Sequence, residues 1–296
     1  MMKNIQINGV DLCYEIFGEN NYETIVLISG LGSQMIRWEN TFCELLVEKG
    51  FKVIRFDNRD SGSTVFTPEK EINFNENIQE FFSSIKPEEI PYSLMDMAKD
   101  VIALFDYLQI EKAHFVGRSM GGIISQLLGS YFPERVLSLN IIMSTSLNPT
   151  LPPSSSEIMT MMMKPPINPE INREGFINEK LFFAEKISGN KFKFDKNSEI
   201  KMIEEELKRS ETKNGIFRQL LAMGTFQYDI EMLEKIKAPT LVIHGNQDPI
   251  FHSDCGKDIA DSIPNSEFIL IDGMGHSIPP ELSEYIMEKI IRNTNT

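Results

Sequence analysis

The stretch Gly117-Arg118-Ser119-Met120-Gly121-Gly122 follows a short apolar run at residues 113–116 and precedes a second apolar segment at residues 123–131. The first run is typical of a buried strand and the second of a helix. The small residues around Ser119 allow a sharp turn that larger side chains would block. Such a turn lifts the serine hydroxyl out of the sheet at a helix N-terminus, whose free N–H groups favour negative charge. The stretch therefore predicts an α/β fold with Ser119 projecting from a strand-to-helix turn.

Strands and helices alternate on both sides of this turn. Seven further strands are predicted, at residues 5–7, 10–17, 24–29, 51–56, 136–143, 239–244 and 268–271. The continuous apolar runs among them are typical of strands buried on both faces. Asn8-Gly9 predicts a tight turn between the first two strands. Residues 67–92 contain scattered prolines and little periodicity, and we interpret them as a long surface connection.

A change of composition near residue 147 interrupts the alternation. Asn148-Pro149 and the run Pro152-Pro153-Ser154-Ser155-Ser156 break regular structure. The residues that follow lack short apolar strands and predict helices. We therefore expect one α/β core formed by residues 1–147 and 236–296, with a helical insertion at residues 148–235 after the sixth predicted strand.

Composition excludes several classes of protein. The 296 residues include 29 Lys and Arg against 43 Asp and Glu, which gives a net charge of −14. Such a charge repels nucleic acids and anionic membranes, and no stretch reaches the ~20 apolar residues that span a bilayer. Three scattered cysteines predict neither a disulfide framework nor a zinc site and fit a reducing compartment. Because the N-terminus lacks the apolar core of a signal peptide, we expect a cytoplasmic protein that binds neither nucleic acid nor membrane.

Ser119 needs a base, because a serine hydroxyl is a poor nucleophile until its proton is removed. The chain has four histidines: His114, His244, His252 and His276. His114 lies inside the strand that leads to the serine, His244 ends another strand, and His252 lies at a helix start. His276 lies in a loop after the last strand, where an imidazole is well placed to reach Ser119. The sequence therefore predicts His276 as the base.

Asp248 is the candidate for the carboxylate that orients His276. It lies in the loop after the preceding strand, and the chain order Ser119, Asp248, His276 is the one expected for a serine nucleophile on such a turn. Asp272 is the alternative because it is near His276 in sequence. Since Asp272 ends its own strand, it is better placed to cap the loop.

The chain resembles the α/β-hydrolase fold family along nearly its whole length. The resemblance is carried by Ser29-Gly30-Leu31-Gly32, Asp57-Asn58-Arg59-Asp60-Ser61-Gly62-Ser63, Gly117-Arg118-Ser119-Met120-Gly121-Gly122, His244-Gly245-x-x-Asp248 and Gly273-Met274-Gly275-His276. Residues 31–64 more specifically resemble the esterase branch that contains aclacinomycin methylesterase. The resemblance implies a mostly parallel, eight-stranded sheet flanked by helices. It also implies that residues 148–235 form the helical cap, or lid, of the family.

The resemblance also implies the chemistry of the site. A serine hydrolase of this family binds the oxyanion with backbone N–H groups, here those of Leu31 and Met120, and needs neither a metal nor an organic cofactor. The family often has His-Gly where this chain has Ser29-Gly30, but a backbone donor does not depend on that side chain. Haloalkane dehalogenases and epoxide hydrolases of the family place an aspartate where Ser119 stands, which disfavours those activities.

We expect a carboxylic ester hydrolase that acts on a small apolar ester as a monomer or homodimer. The same triad also serves cofactor-free haloperoxidases or perhydrolases, thioesterases, carbon–carbon bond hydrolases, acyltransferases and ligand-sensing regulatory homologues. Trp38, Met161 and Met162 are candidates for the substrate pocket, since methionine adapts to varied apolar partners. Ordinary packing is the alternative interpretation of all three. Arg118 either contacts a substrate carboxylate or braces the turn against a nearby acid.

Overall fold

A mixed sheet organises the protein, seen in a computed structural model that describes residues 1–67, 85–86, 89–165, 167–210 and 215–296. Its strands are β1 (Lys3–Ile7), β2 (Val10–Phe17), β3 (Glu23–Ile28), β4 (Phe51–Phe56), β5 (Val65–Phe66), β6 (Ala113–Arg118), β7 (Val136–Ile142), β8 (Thr240–Gly245) and β9 (Ser266–Ile271). Eight of them follow the order β1-β2-β4-β3-β6-β7-β8-β9, and β5 pairs with β2. The pairs of β2 are antiparallel, whereas every neighbouring pair from β4 across to β9 is parallel.

The predicted α/β fold with a mostly parallel sheet of eight strands is confirmed. The two-residue strand β5 was not predicted, because so short a segment carries no periodicity. The predicted surface connection at residues 67–92 lies for the most part outside the described residues.

Helices cover both faces of the sheet. They are α1 (Asn40–Glu48), α2 (Leu94–Leu108), α3 (Met120–Tyr131), α4 (Ser156–Met163), α5 (Arg173–Ile187), α6 (Lys196–Arg209), α7 (Gly215–Gly224), α8 (Ile230–Glu234), α9 (Ser253–Ser262) and α10 (Ser283–Thr294), with 3₁₀ turns at Met35–Arg37, Pro133–Arg135 and Pro280–Leu282. None of these helices is long and apolar enough to cross a membrane, within the part of the chain that the structure describes.

The core lies on the two faces of the sheet, because successive side chains of a strand point to opposite sides. Val26 and Ile28 of β3 pack on one face with α2, α3 and α9. Ile25 and Leu27 of the same strand pack on the other face with α1 and α10. All four side chains are fully buried. This arrangement explains why β3 appears in the sequence as an uninterrupted apolar run.

Helices α4 to α8 lie between β7 and β8, in the segment where the sequence predicts a helical insertion. Ion pairs join two of these helices to the core. Asp57, which follows β4, pairs with Arg209 of α6 at 2.7 Å, and Asp60 pairs with Arg218 of α7 at 2.6 Å. Asp57 and Asp60 have no side-chain exposure, so both ion pairs are buried on the acidic side. The division into a core and a cap stays a prediction.

Substitution of Phe105 on α2 tests how strongly the stability of the core depends on the packing of helices against β6. Its ring stacks on that of Phe115 with centroids 5.5 Å apart, and both are fully buried. We expect Phe105→Ala to lower the free energy of unfolding by about 3–5 kcal/mol, measured by urea denaturation. Tyr131→Ala is the matched control, because that ring is 54% exposed, and its effect stays within about 0.5 kcal/mol. An equal decrease in the free energy of unfolding of the two variants would contradict this packing.

Candidate active site

Ser119 occupies the turn between β6 and α3 in a strained backbone conformation, with φ 54° and ψ −125°. Glycine is required on both sides of it. A Cβ at Gly117 would lie 2.2 Å from the carbonyl oxygen of Gly121, and a Cβ at Gly121 would lie 2.3 Å from that of Ile28. No side chain fits at such distances. The backbone N–H of Ser119 donates to the carbonyl of Ile142 at 3.0 Å, which ties the turn to β7.

His276 and Asp248 meet beside this turn. Nδ1 of His276 lies 2.6 Å from Oδ2 of Asp248. The second carboxylate oxygen, Oδ1, accepts the backbone N–H groups of Ile250 at 2.8 Å and Phe251 at 2.9 Å. Among the residues that the structure describes, Nε2 of His276 has no hydrogen-bond partner. His276 and Ser119 line the same cavity.

The carboxyl group of Asp248 is buried yet ionised. Burial alone favours the neutral acid, but the charge of His276 and hydrogen bonds from His244 and His276 hold the pKa of Asp248 well below its usual range. His244 is fully buried, and its Nε2 lies 3.3 Å from Oδ2 of Asp248 and 2.9 Å from the carbonyl oxygen of Phe251. His244 therefore supports the Asp248 loop and stands apart from the serine.

The other titratable groups considered in the sequence have different partners. Asp272 is exposed and bonds to Lys191 at 2.7 Å and to Asn246 at 3.0 Å. His114 lies in the sheet, bonded to Ser138 and Glu23, and His252 caps α9. None of the three reaches His276 or Ser119 through a hydrogen bond.

The loop after β3 lies against Ser119. A Cβ at Gly30 would lie 2.9 Å from Cβ of Ser119, so the two backbones are in close contact. Within the described part of the chain, the backbone N–H groups of Leu31 and Met120 donate to no protein acceptor. Met120 follows Ser119 in the chain, and Leu31, the neighbour of Gly30, lines the cavity.

Gln219 of α7 holds this loop, and sequence reasoning missed it. Its Oε1 accepts the N–H of Gly32 at 2.7 Å, and its Nε2 donates to the carbonyl of Arg59 at 2.7 Å. Asn58 donates to the carbonyl of Ser29 at 2.8 Å. Gln219 is fully buried and 187 residues away from Gly32 in sequence. No local pattern signals a contact between residues so distant in the chain.

A cavity of about 910 Å³ opens beside Ser119 and His276, bounded by the loop after β3 and helices α4 to α7. Met161 and Met162 of α4 line it. The structure places Trp38 elsewhere, since its side chain is 2% exposed and its ring lies under the guanidinium of Arg118, 5.0 Å away. Trp38 is not among the described residues that form the cavity wall.

Arg118 makes no ion pair with a carboxylate among the described residues. Its guanidinium donates to Oγ of Ser33 at 3.1 Å and to the carbonyl of Arg37 at 3.5 Å, and it lines the cavity. The turn is therefore not braced against an acid. Burial lowers the pKa of Arg118 to about 10, so the side chain remains a cation at neutral pH.

The three cysteines are buried and free. Burial raises the pKa of Cys13 and Cys255 to about 11 and that of Cys43 to about 12. Since the thiolate is the reactive form, these residues are inert at neutral pH. The described residues contain no group of three or more His, Cys, Asp or Glu side chains placed to hold a metal ion.

Comparison with known proteins identifies the fold family of the chain. A model of the alpha/beta hydrolase fold matches residues 23–281. The chain is 26% identical to rhodomycin D methylesterase from Streptomyces sp. (strain C5), covering 96% of this chain and 95% of the relative. It is 30% identical to a poly(3-hydroxyalkanoate) depolymerase from Ectopseudomonas oleovorans over 63% of this chain and 62% of the relative. The crystal structure of the enol-lactonase from Burkholderia xenovorans LB400 superposes with a TM-score of 0.73 at 20% identity, over 99% and 100% of the two chains.

The chain belongs to the α/β-hydrolase fold family. The α/β-hydrolase fold defines a superfamily of serine hydrolases, and relatives of the chain are methylesterases. The expectation of a hydrolytic enzyme is therefore confirmed. The similarity to a methylesterase over nearly the full length of both chains also confirms the resemblance to the esterase branch.

Asp248 gives the fold a specific dependence on pH. Its pKa in the folded protein lies below the unfolded value of about 3.9, so the carboxylate stabilises the fold above that pH, and the stabilisation is lost as the pH falls through the folded value. We expect wild type to exceed Asp248→Asn in free energy of unfolding at about pH 5, by a difference that shrinks below about pH 4. Urea denaturation at a series of pH values across this range measures the difference in free energy of unfolding. The exposed Asp261, changed to Asn, is the control and gives a small difference throughout. A wild-type advantage that grows toward acid pH would contradict the assignment.

Proposed function

We propose that Ser119, His276 and Asp248 form a catalytic triad that hydrolyses carboxylic esters through an acyl-enzyme. One observation carries the proposal: the 2.6 Å contact between His276 and Asp248 at a cavity that Ser119 enters from a strained turn. When Nδ1–H of the neutral imidazole donates to Asp248, Nε2 is left as the nitrogen that accepts the serine proton. The similarity to a methylesterase supports an ester as the substrate.

The reaction follows from the positions of these groups. Oγ of Ser119 attacks the ester carbonyl while Nε2 of His276 takes its proton, and Asp248 stabilises the imidazolium. The unused N–H groups of Leu31 and Met120 bind the oxyanion. The alcohol leaves with the proton from His276. Water, activated by the same imidazole, then hydrolyses the acyl-enzyme.

Residues 148–235 act in this proposal as a cap over a catalytic core formed by residues 1–147 and 236–296. Helices α4 to α7 supply much of the cavity wall, including Met161 and Met162. The end of α5 also contacts the catalytic loop, because the backbone N–H of His276 donates to the carbonyl of Ile187 at 2.6 Å. A segment that lines the cavity in this way selects the substrate, which is a small-molecule ester.

Ser119→Ala tests the nucleophile. We expect hydrolysis of p-nitrophenyl esters to fall to the level of the solution without enzyme, and labelling by a fluorophosphonate probe to disappear, because the attacking hydroxyl is gone. Ser130→Ala is the matched control, since Ser130 lies on α3 and its Oγ has no partner in the described structure. It keeps full activity. Labelling of the Ser119→Ala protein would overturn the triad.

Gln219→Met tests how the oxyanion loop is held. The substitution keeps the length of the side chain but leaves the N–H of Gly32 and the carbonyl of Arg59 without partners. Because the loss of one oxyanion donor costs about 10²–10³ in rate, a displaced loop is expected to lower kcat about tenfold or more with little change in KM. Gln227→Met, at an exposed position, leaves both constants unchanged. A raised KM at unchanged kcat would assign Gln219 to substrate binding instead.

A further inference from the structure

Two cations line the cavity, one beside Ser119 and one on the helix α5. Arg118 immediately precedes the nucleophile, and Lys180 lies on α5. Neither makes an ion pair within the described residues. The ammonium of Lys180 lies 5.7 Å from the ring centroid of Phe176. Arg118 is half-buried, and Lys180 is accessible where it lines the cavity, so both cations can be reached by a bound molecule.

The acids around the same cavity are engaged elsewhere. Arg37 pairs with Glu199 at 2.7 Å and with Glu206 at 2.8 Å. Glu179 pairs with Lys164 at 2.7 Å, and Asp195 accepts backbone N–H groups at the start of α6. The remaining charged groups of the cavity wall, Glu39 and Lys193, are exposed and of opposite sign. Arg37 neutralises only one of its two glutamates, and the charges of Lys180 and Arg118 also help to hold the pKa of Glu206 below its usual range. Three cations, those of Arg37, Arg118 and Lys180, therefore face two acids, which leaves one net positive charge at this part of the cavity wall.

The guanidinium of Arg118 is held in place with donors to spare. Trp38 supports one face of the group, and Ser33 and Arg37 each accept one hydrogen bond. A guanidinium has five N–H donors, so three remain after these two. The planar fork matches the two oxygens of a carboxylate, and charge-assisted hydrogen bonds strengthen where water is excluded.

We infer that Arg118 and Lys180 bind a carboxylate of the substrate, so that the natural ester carries a negative charge away from the bond that is cleaved. The inference rests on the proposed ester hydrolysis and names its substrate class. It replaces the expectation of an uncharged apolar ester. The methionines of α4 then contact the hydrocarbon part of an anionic molecule.

Three esters of similar size test the inference. Phenyl hexanoate is neutral, monophenyl adipate carries a carboxylate on the acyl part, and 4-carboxyphenyl hexanoate carries it on the alcohol part. The readout is the ratio of kcat/KM for each charged ester to that for the neutral one, so that a general effect on the nucleophile cancels. For wild type we expect a ratio above one for one of the charged esters, and that ester shows which part of the substrate bears the charge.

Arg118→Gln and Lys180→Met each lower the ratio of kcat/KM for the preferred charged ester to that for the neutral ester. For Arg118→Gln the ratio falls by about tenfold or more, because a charged hydrogen bond is lost. Arg118→Lys keeps the cation without the fork and falls between Gln and wild type. Lys186→Met is the matched control, because Lys186 lies on the same helix but pairs with Glu157 at 2.9 Å and is outside the cavity wall. For Lys186→Met, the ratio of kcat/KM for the charged ester to that for the neutral ester stays within about twofold of the wild-type ratio.

The outcomes separate this inference from the proposed function. Ratios at or below one for both charged esters, or equal ratios in wild type and Arg118→Gln, overturn the inference while Ser119-dependent hydrolysis stands. Absence of Ser119-dependent hydrolysis for all three esters overturns both. Calorimetric titration of the Ser119→Ala protein with adipate gives a readout without turnover. Binding that weakens in the Ser119→Ala, Arg118→Gln double variant supports the inference, and undetectable binding of adipate to the Ser119→Ala protein counts against it.

Discussion

The close approach of the backbone around Ser119 is the constraint on which the rest of the site depends. Gly117 and Gly121 leave no space for a side chain, so α3 begins directly against the end of β3. The loop after β3 is thereby brought to Ser119, and parallel pairing brings the ends of β6, β8 and β9 to the same edge of the sheet. The turn, the Asp248 loop and the His276 loop all leave that edge. A ligand crevice at the carboxyl ends of parallel strands is the general consequence of such a sheet.

The helices between β7 and β8 are tied to the loops at this edge. Arg209 and Arg218 anchor them to buried aspartates, and Gln219 reaches the loop beside Ser119. The carbonyl of Ile187 at the end of α5 accepts the backbone N–H of His276. Since the same helices line the cavity, a change in the cavity wall also acts on the loops that surround Ser119.

Local features of the site could be predicted from the sequence because each is determined by a few neighbouring residues. The turn at Ser119, the eight strands, and the separate loops that carry Asp248 and His276 belong to this class. Contacts made across the fold could not be predicted, since no short pattern links Gln219 to Gly32 or Arg209 to Asp57, which lie 187 and 152 residues apart. Such partners become visible only when the topology has placed their elements side by side.

The net charge of the whole chain differs from the charge at the cavity wall. The net charge of −14 describes the whole chain, whereas salt screens interactions between exposed charges beyond about 8–10 Å. At the cavity wall, Arg37, Arg118 and Lys180 face Glu199 and Glu206, which leaves one net positive charge. A bound ligand therefore responds to this local group more than to the surface. An acidic protein with such a group next to Ser119 is in this way suited to the anionic substrate that we infer, although its overall charge would repel one.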